Sequence, residues 1–138
     1  MRVLALGLVI SALLGATAFA DDSVADGEKV FKKCAACHAV GEGAKNKVGP
    51  ELNNLFGRVA GSHPDFNYSK AMVEAGAGGL VWTSETLHQY LVKPKDFVKG
   101  NKMSFPGLKE QEDIDNLVAY LSTFSTAPTA DPAATPAQ

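Results

Sequence analysis

The chain has 138 residues, of which 46% are hydrophobic and 20% charged, and it carries a formal charge of −2. That is material for one ordinary globular domain and excludes a wholly disordered chain. There is no strong basic excess, which argues against a nucleic-acid-binding role.

Reading from the N-terminus, Met1 and Arg2 give a short positive start. The run from Val3 to Phe19 is apolar or small, interrupted only by Ser11 and Thr17. Ala18-Phe19-Ala20 has the small-x-small form of a cleavage site and is followed by Asp21-Asp22. Residues 1–20 are predicted to be a signal peptide, cleaved after Ala20, that exports the chain to the periplasm. A membrane anchor, the competing reading, needs about 20 apolar residues and lacks such a site.

Next comes a predicted helix. Ser23 can cap it with Asp26 at the reach-back position, and Gly27, Val30, Phe31 and Cys34 fall on one face. The helix leads into Cys34-Ala35-Ala36-Cys37-His38, which holds both cysteines of the chain. Export makes a disulfide the default expectation, but a bridge this short closes almost no loop and stabilises little. In an exported chain, C-x-x-C-H reads instead as covalent haem attachment. Two thiols three positions apart sit on one helical turn and can meet two vinyl groups of one porphyrin. The histidine that follows directly can ligate the iron through a ring nitrogen. A thioredoxin-like pair would lie at a strand end, and a zinc site would need more ligands at matched spacing. Neither pattern occurs.

Residues 39–67 are loop-rich and glycine-rich. His63, before Pro64 in a polar stretch, is expected to be exposed. Met72 lies in a short segment from Ser69 to Ala75, where a methionine fills core space. Thr83 can cap a middle helix carrying Leu87, Tyr90 and Leu91 and stopped at Pro94. His88 on that helix reads as a surface residue. Met103 sits in the loop Gly100-Asn101-Lys102-Met103-Ser104-Phe105-Pro106-Gly107. A thioether on such a loop can swing over a haem face, which makes Met103 the candidate for the sixth iron ligand. Glu110, Glu112 and Asp113 open a last helix with the stripe Ile114, Leu117, Val118, Leu121 and Phe124. Gly27 is expected to let the first helix approach the last closely near Tyr120. The Ala/Pro/Thr-rich residues 126–138 are predicted to be a flexible tail. So much loop leaves little core without the haem, so the haem-free chain is not expected to fold stably.

Taken in order, these residues resemble the class I c-type cytochromes, close to the bacterial periplasmic cytochromes c2 and mitochondrial cytochrome c. The resemblance runs from Gly27 to Phe124. It rests on Cys34-x-x-Cys37-His38, Gly49-Pro50-x-Leu52, Phe56-Gly57-Arg58, Tyr68-Ser69-x-Ala71, Trp82, Leu87-x-x-Tyr90-Leu91-x-x-Pro94, Lys102-Met103-x-Phe105 and Leu117-Val118-Ala119-Tyr120-Leu121. It implies an all-α fold of the small cytochrome c type, spanning 21–125. Its terminal helices pack across each other around one haem c, held through Cys34 and Cys37 and surrounded by long loops. The axial ligands it implies are His38 and Met103, with the Pro50 carbonyl accepting the other His38 ring N–H. Arg58, Tyr68 and Trp82 would surround the haem propionates, Tyr90 would lie near Met103, and Phe105 would cover the haem edge. The chain departs from the family at Met72, where asparagine is frequent, at Lys99, a common proline, and at Asn101. A threonine usually stands at this last position and bonds to the tyrosine matched by Tyr90. The Gly76-Ala77-Gly78-Gly79 segment also lengthens one connection.

With both axial positions filled by protein, the implied role is a single-electron carrier rather than an enzyme. A haem sensor or enzyme with a displaceable sixth ligand is the alternative. A thiol–disulfide oxidoreductase using Cys34 and Cys37 without haem is a further one. By resemblance the donor is a membrane cytochrome bc complex, the acceptor a terminal oxidase or photosynthetic reaction centre, and the carrier a monomer that binds no nucleic acid. Lys32, Lys33, Lys45, Lys47, Lys93, Lys95, Lys99 and Lys102 cluster around the haem-binding segments, a pattern expected to steer docking onto acidic partners.

Overall fold

The computed structural model describes residues 18–126. The expected signal segment up to residue 17 and the tail from residue 127 lie outside the described residues. The elements are helices α1 (Ala18–Phe31), α2 (Lys70–Ala77), α3 (Ser84–Val92), α4 (Pro94–Phe97) and α5 (Gln111–Ser122). Among the described residues there are no strands, only an isolated antiparallel bridge between Val59 and Val81. No helix among them is long and apolar enough to cross a membrane.

Helix α1 starts upstream of the expected cap. The helix-favouring Ala18 and Ala20 extend the backbone ladder, so Ser23 lies inside the helix and does not cap it. Helix α3 begins as its sequence indicates. The Thr83 hydroxyl accepts from the Thr86 amide at 3.2 Å, and the Thr83 amide donates to the Thr86 hydroxyl at 2.9 Å. Pro94 ends α3 and then serves as the first residue of the single turn α4, where a missing N–H costs nothing. Glu112 and Asp113 stand in the first turn of α5, where they favour the helix dipole, and Asp113 also meets Lys33 at 3.1 Å.

The core gathers around the packing of α1 on α5. Ile114 and Leu117 are each 1% exposed, and such burial is worth about 2 kcal/mol a side chain. The two helices touch at Gly27. A Cβ there would fall onto the Asn116 carbonyl oxygen and come within 2.6 Å of the Tyr120 Cβ. Close approach thus requires glycine. Phe124, expected on the α5 stripe, lies past the helix end and packs edge-on against Tyr120 at 5.1 Å.

Loops are held by long-range backbone bonds. The Gly49 amide donates to the Cys37 carbonyl at 2.8 Å, and the Leu52 amide to Ala39 at 2.9 Å. The Asn54 amide donates to Phe124 at 2.8 Å. Around the Val59–Val81 bridge, the Trp82 amide donates to the Arg58 carbonyl at 2.9 Å, which sets those two residues side by side.

Candidate functional site

Past Phe31 the chain keeps turning. The Cys34 and Ala35 amides donate to the Phe31 carbonyl at 2.7 and 3.0 Å, and the His38 amide to Cys34 at 2.9 Å. One turn thus carries Cys34, Cys37 and His38. Both thiols are free and half-buried.

The His38 Nδ1 donates to the Pro50 carbonyl at 2.7 Å. A carbonyl can only accept, so the proton sits on Nδ1, and Nε2 keeps its lone pair. Burial lowers the His38 pKa, against the Pro50 bond, and the nearby Lys47 charge lowers it further. The neutral, ligating form is favoured. Burial also pushes the Cys34 thiol up to about 11, opposed by the Lys33 charge and aided by Cys37. Redox-active C-x-x-C pairs depend on a lowered thiol pKa, so the shift at Cys34 runs against a thiol–disulfide oxidoreductase.

All nine predicted site residues line one cavity of about 250 Å³: Cys34, Cys37, His38, Pro50, Arg58, Tyr68, Trp82, Tyr90 and Met103. Leu52, Leu55, Met72, Leu87, Leu91, Phe105, Leu117 and Leu121 add to a mostly apolar wall. The Tyr90 hydroxyl donates to the Met103 Sδ at 3.2 Å. Burial raises the Tyr90 pKa to about 12, so the hydroxyl stays a donor. Trp82 stacks edge-on with Tyr90 at 4.9 Å. The cavity fits a haem c. It offers two thiols on one turn, one ring nitrogen with its lone pair retained, a thioether held by a hydroxyl, and apolar walls for the macrocycle.

One feature at the site differs from expectation. His63 is only 15% exposed in its side chain, because its Nε2 lies 3.1 Å from the Glu51 carboxylate. Glu51 is itself 14% exposed and stands 3.9 Å from the Arg58 guanidinium. Arg58 also donates to the Glu51 carbonyl at 3.3 Å and to the Asn53 carbonyl. It bonds to Tyr68 as well, whose hydroxyl pKa is raised, chiefly by burial. Sequence reasoning missed this Glu51–Arg58–His63 group; the one signal was an acidic residue directly after Pro50. Asn101, which departs from the family's usual threonine, bonds to the backbone of Pro94, Val98 and Met103. His88 is not near the cavity. It bridges α3 and α5, Nδ1 at 2.6 Å from the Ser84 carbonyl and Nε2 at 2.6 Å from Asp115.

A family model of cytochrome c matches residues 24–125. The chain is 64% identical to cytochrome c2 of Afifella marina over 111 residues, covering 80% of this chain and 90% of that protein. It is 56% identical to cytochrome c2 of Agrobacterium tumefaciens over 101 residues, covering 73% of this chain and 91% of the relative. Among solved structures, cytochrome c2 from Rhodospirillum centenum is similar, with a TM-score of 0.71 and 42% identity over 74% of this chain and 98% of that one.

Proposed function

This chain belongs to the cytochrome c family of electron carriers, and from that premise we propose that it is a periplasmic one-electron shuttle whose haem is ligated by His38 and Met103. The family binds haem c covalently through two cysteines, which in this chain are Cys34 and Cys37. It is a carrier, not an enzyme. The exported protein runs from Asp21, with the cytochrome domain at 21–125 and a tail at 126–138, and acts as a monomer. The observation that carries this reading is the shared cavity, in which the His38 Nδ1 is committed to Pro50 while Tyr90 holds the Met103 sulfur.

Bound haem supplies a reversible one-electron change at its iron. The chain's own residues set the terms of that change. Pro50 fixes the His38 ring, and Tyr90 orients the Met103 thioether. The thioether favours the reduced metal relative to a second histidine. Arg58 and Tyr68 stand ready for the propionates, whose burial requires donors. The apolar wall would keep water from the bound group, and with His38 and Met103 both holding its iron, no position would be left for a substrate.

The partners fitting this role are a membrane cytochrome bc complex as donor and a terminal oxidase or photosynthetic reaction centre as acceptor. Lys33 and Lys102 line the cavity and supply positive charge toward acidic partners. Lys33 is partly neutralised by Asp113, and Lys93 by Asp96 at 2.8 Å. The test is an optical spectrum of the purified holoprotein in both oxidation states. A sharp reduced α-band, with a weak oxidised band at the red end that disappears in Met103→Ala, supports the ligand pair. A haem spectrum without the weak band favours the sensor or enzyme reading.

A further inference from the structure

We propose that Asn101 is the positioning residue that sets how firmly Met103 is held, an inference that rests on Met103 being an axial ligand. Met103 belongs to the stretch 101–110, which has no regular secondary structure, so no helix or strand ladder fixes its place. The bonds to that loop do so instead. Asn101 is 6% exposed, and every side-chain bond it makes is to backbone. Its Oδ1 accepts from the Met103 amide at 2.8 Å. Its Nδ2 donates to the carbonyls of Pro94 and Val98, each at 2.8 Å. The orientation of the carboxamide is unambiguous. Flipping it would set an NH2 against the Met103 N–H and an oxygen against two carbonyls.

The anchor at the other end is rigid. Pro94 is among the most buried side chains and Val98 is 5% exposed, so α4 and the residue after it are bound into the core. The Asn101 amide also donates to Val98, at 3.1 Å, closing the turn from backbone and side chain together. Asn101 therefore transmits the position of α4 to the Met103 backbone, while Tyr90 acts separately on the sulfur. Both amide hydrogens and the oxygen are used at once. A threonine has one donor hydrogen, so it can reach one of the two carbonyls while accepting from Met103, and an alanine can do neither.

If Asn101 holds Met103 in place, its loss weakens Met103 against any competing ligand. Imidazole is the probe, titrated into the oxidised holoprotein and followed by loss of the weak red-end band. Leaving a buried amide without its acceptor costs enough that Asn101→Ala is expected to bind imidazole roughly tenfold tighter than the wild type. Asn101→Thr, which keeps part of the clamp and the fold, is expected to fall between. In a Met103→Ala background, where imidazole binding is followed by the shift of the main haem absorption band, Asn101→Ala is expected to leave the imidazole affinity unchanged, because there is no thioether left to position. Imidazole affinities equal to wild type in both Asn101 variants would overturn the proposal. So would the same tenfold change in the Met103→Ala background, which would show a general loosening of the cavity. A wild-type band that survives Met103→Ala overturns the ligand reading itself, and is told apart from the other two by that spectrum alone.

Discussion

The His38 imidazole stands directly against Gly49: a Cβ on that glycine would come within 2.7 Å of Nδ1 and 2.9 Å of Nε2. The Gly49 amide also donates to the Cys37 carbonyl, so the backbone at 49 cannot back away without breaking the turn that carries the thiols. Contact with the ring, and not backbone conformation, is what requires glycine here. Gly49→Ala is therefore expected to tilt His38 off the Pro50 carbonyl and to cost about 2–3 kcal/mol. Yield of haem-loaded protein and its denaturant midpoint are the measurements, and wild-type values for both would refute the argument.

Tyr90→Phe separates packing from hydrogen bonding. The ring keeps its contacts with Trp82 and Phe97, while the bond from the hydroxyl to the Met103 sulfur is lost. Donation to sulfur withdraws electron density and makes the thioether a weaker donor, which favours the reduced state. Removing it is expected to lower the reduction potential by on the order of 30 mV, about half of a tenfold change for one electron. Potentiometric titration of both proteins checks the sign.

Without its cofactor the chain is expected to lose cooperative folding. An apolar cavity of about 250 Å³ that opens to solvent leaves its lining without packing partners when empty, at a cost on the order of a few kcal/mol. That is a large share of the about 5–15 kcal/mol that holds a domain folded. Cys34→Ser combined with Cys37→Ser, expressed without haem, is expected to show no sharp thermal transition. A cooperative melt near that of the holoprotein would contradict this.

Asp115 gives a small pH dependence. Its carboxyl is held below the ordinary value of 3.8 by the Gln111 side chain, opposed by burial and helped by His88. A depressed folded-state pKa adds stability above the unfolded value, and that stability disappears as pH falls through the folded one. Asp115→Asn is thus expected to be less stable than wild type at pH 6, with the gap closing well below pH 3.8. The side chain is 57% exposed, so solvent screening limits the difference to about 0.5 kcal/mol at low salt. Denaturant melts at pH 6 and at acid pH, in low and high salt, measure it.

Docking electrostatics distinguish two lysines. Lys102 lines the cavity, while Lys93 is paired with Asp96. Lys102→Ala is expected to slow electron transfer to an acidic partner several-fold at low ionic strength, and Lys93→Ala far less. Stopped-flow rates across a salt series read this out; a flat response for both would remove the steering role.

The elements legible in the sequence are those governed by local rules. The α5 stripe follows helical periodicity, the Thr83 cap follows side-chain chemistry, and the C-x-x-C-H run is a contiguous motif. His63 was expected to be exposed, and its partner Glu51 is brought close by a loop path that periodicity does not encode. A histidine before a proline in a polar stretch looks exposed until a carboxylate twelve positions upstream folds over it. The start of α1 was missed differently. Ser23 stands inside α1 because the helix of the uncleaved chain begins at Ala18, among the residues expected to be removed with the signal peptide.

The contact between Gly27 and Asn116 also has a temporal meaning. Helix α1 emerges first during synthesis and α5 nearly last, so α1 lacks this partner until almost the whole chain has been made. Through that interval Cys34 lacks the burial that raises its thiol to about 11 in the closed fold. The Cys34 thiol is therefore freest of that burial in the young, open chain. The order in which the two helices become available to each other is written into the distance along the chain between them.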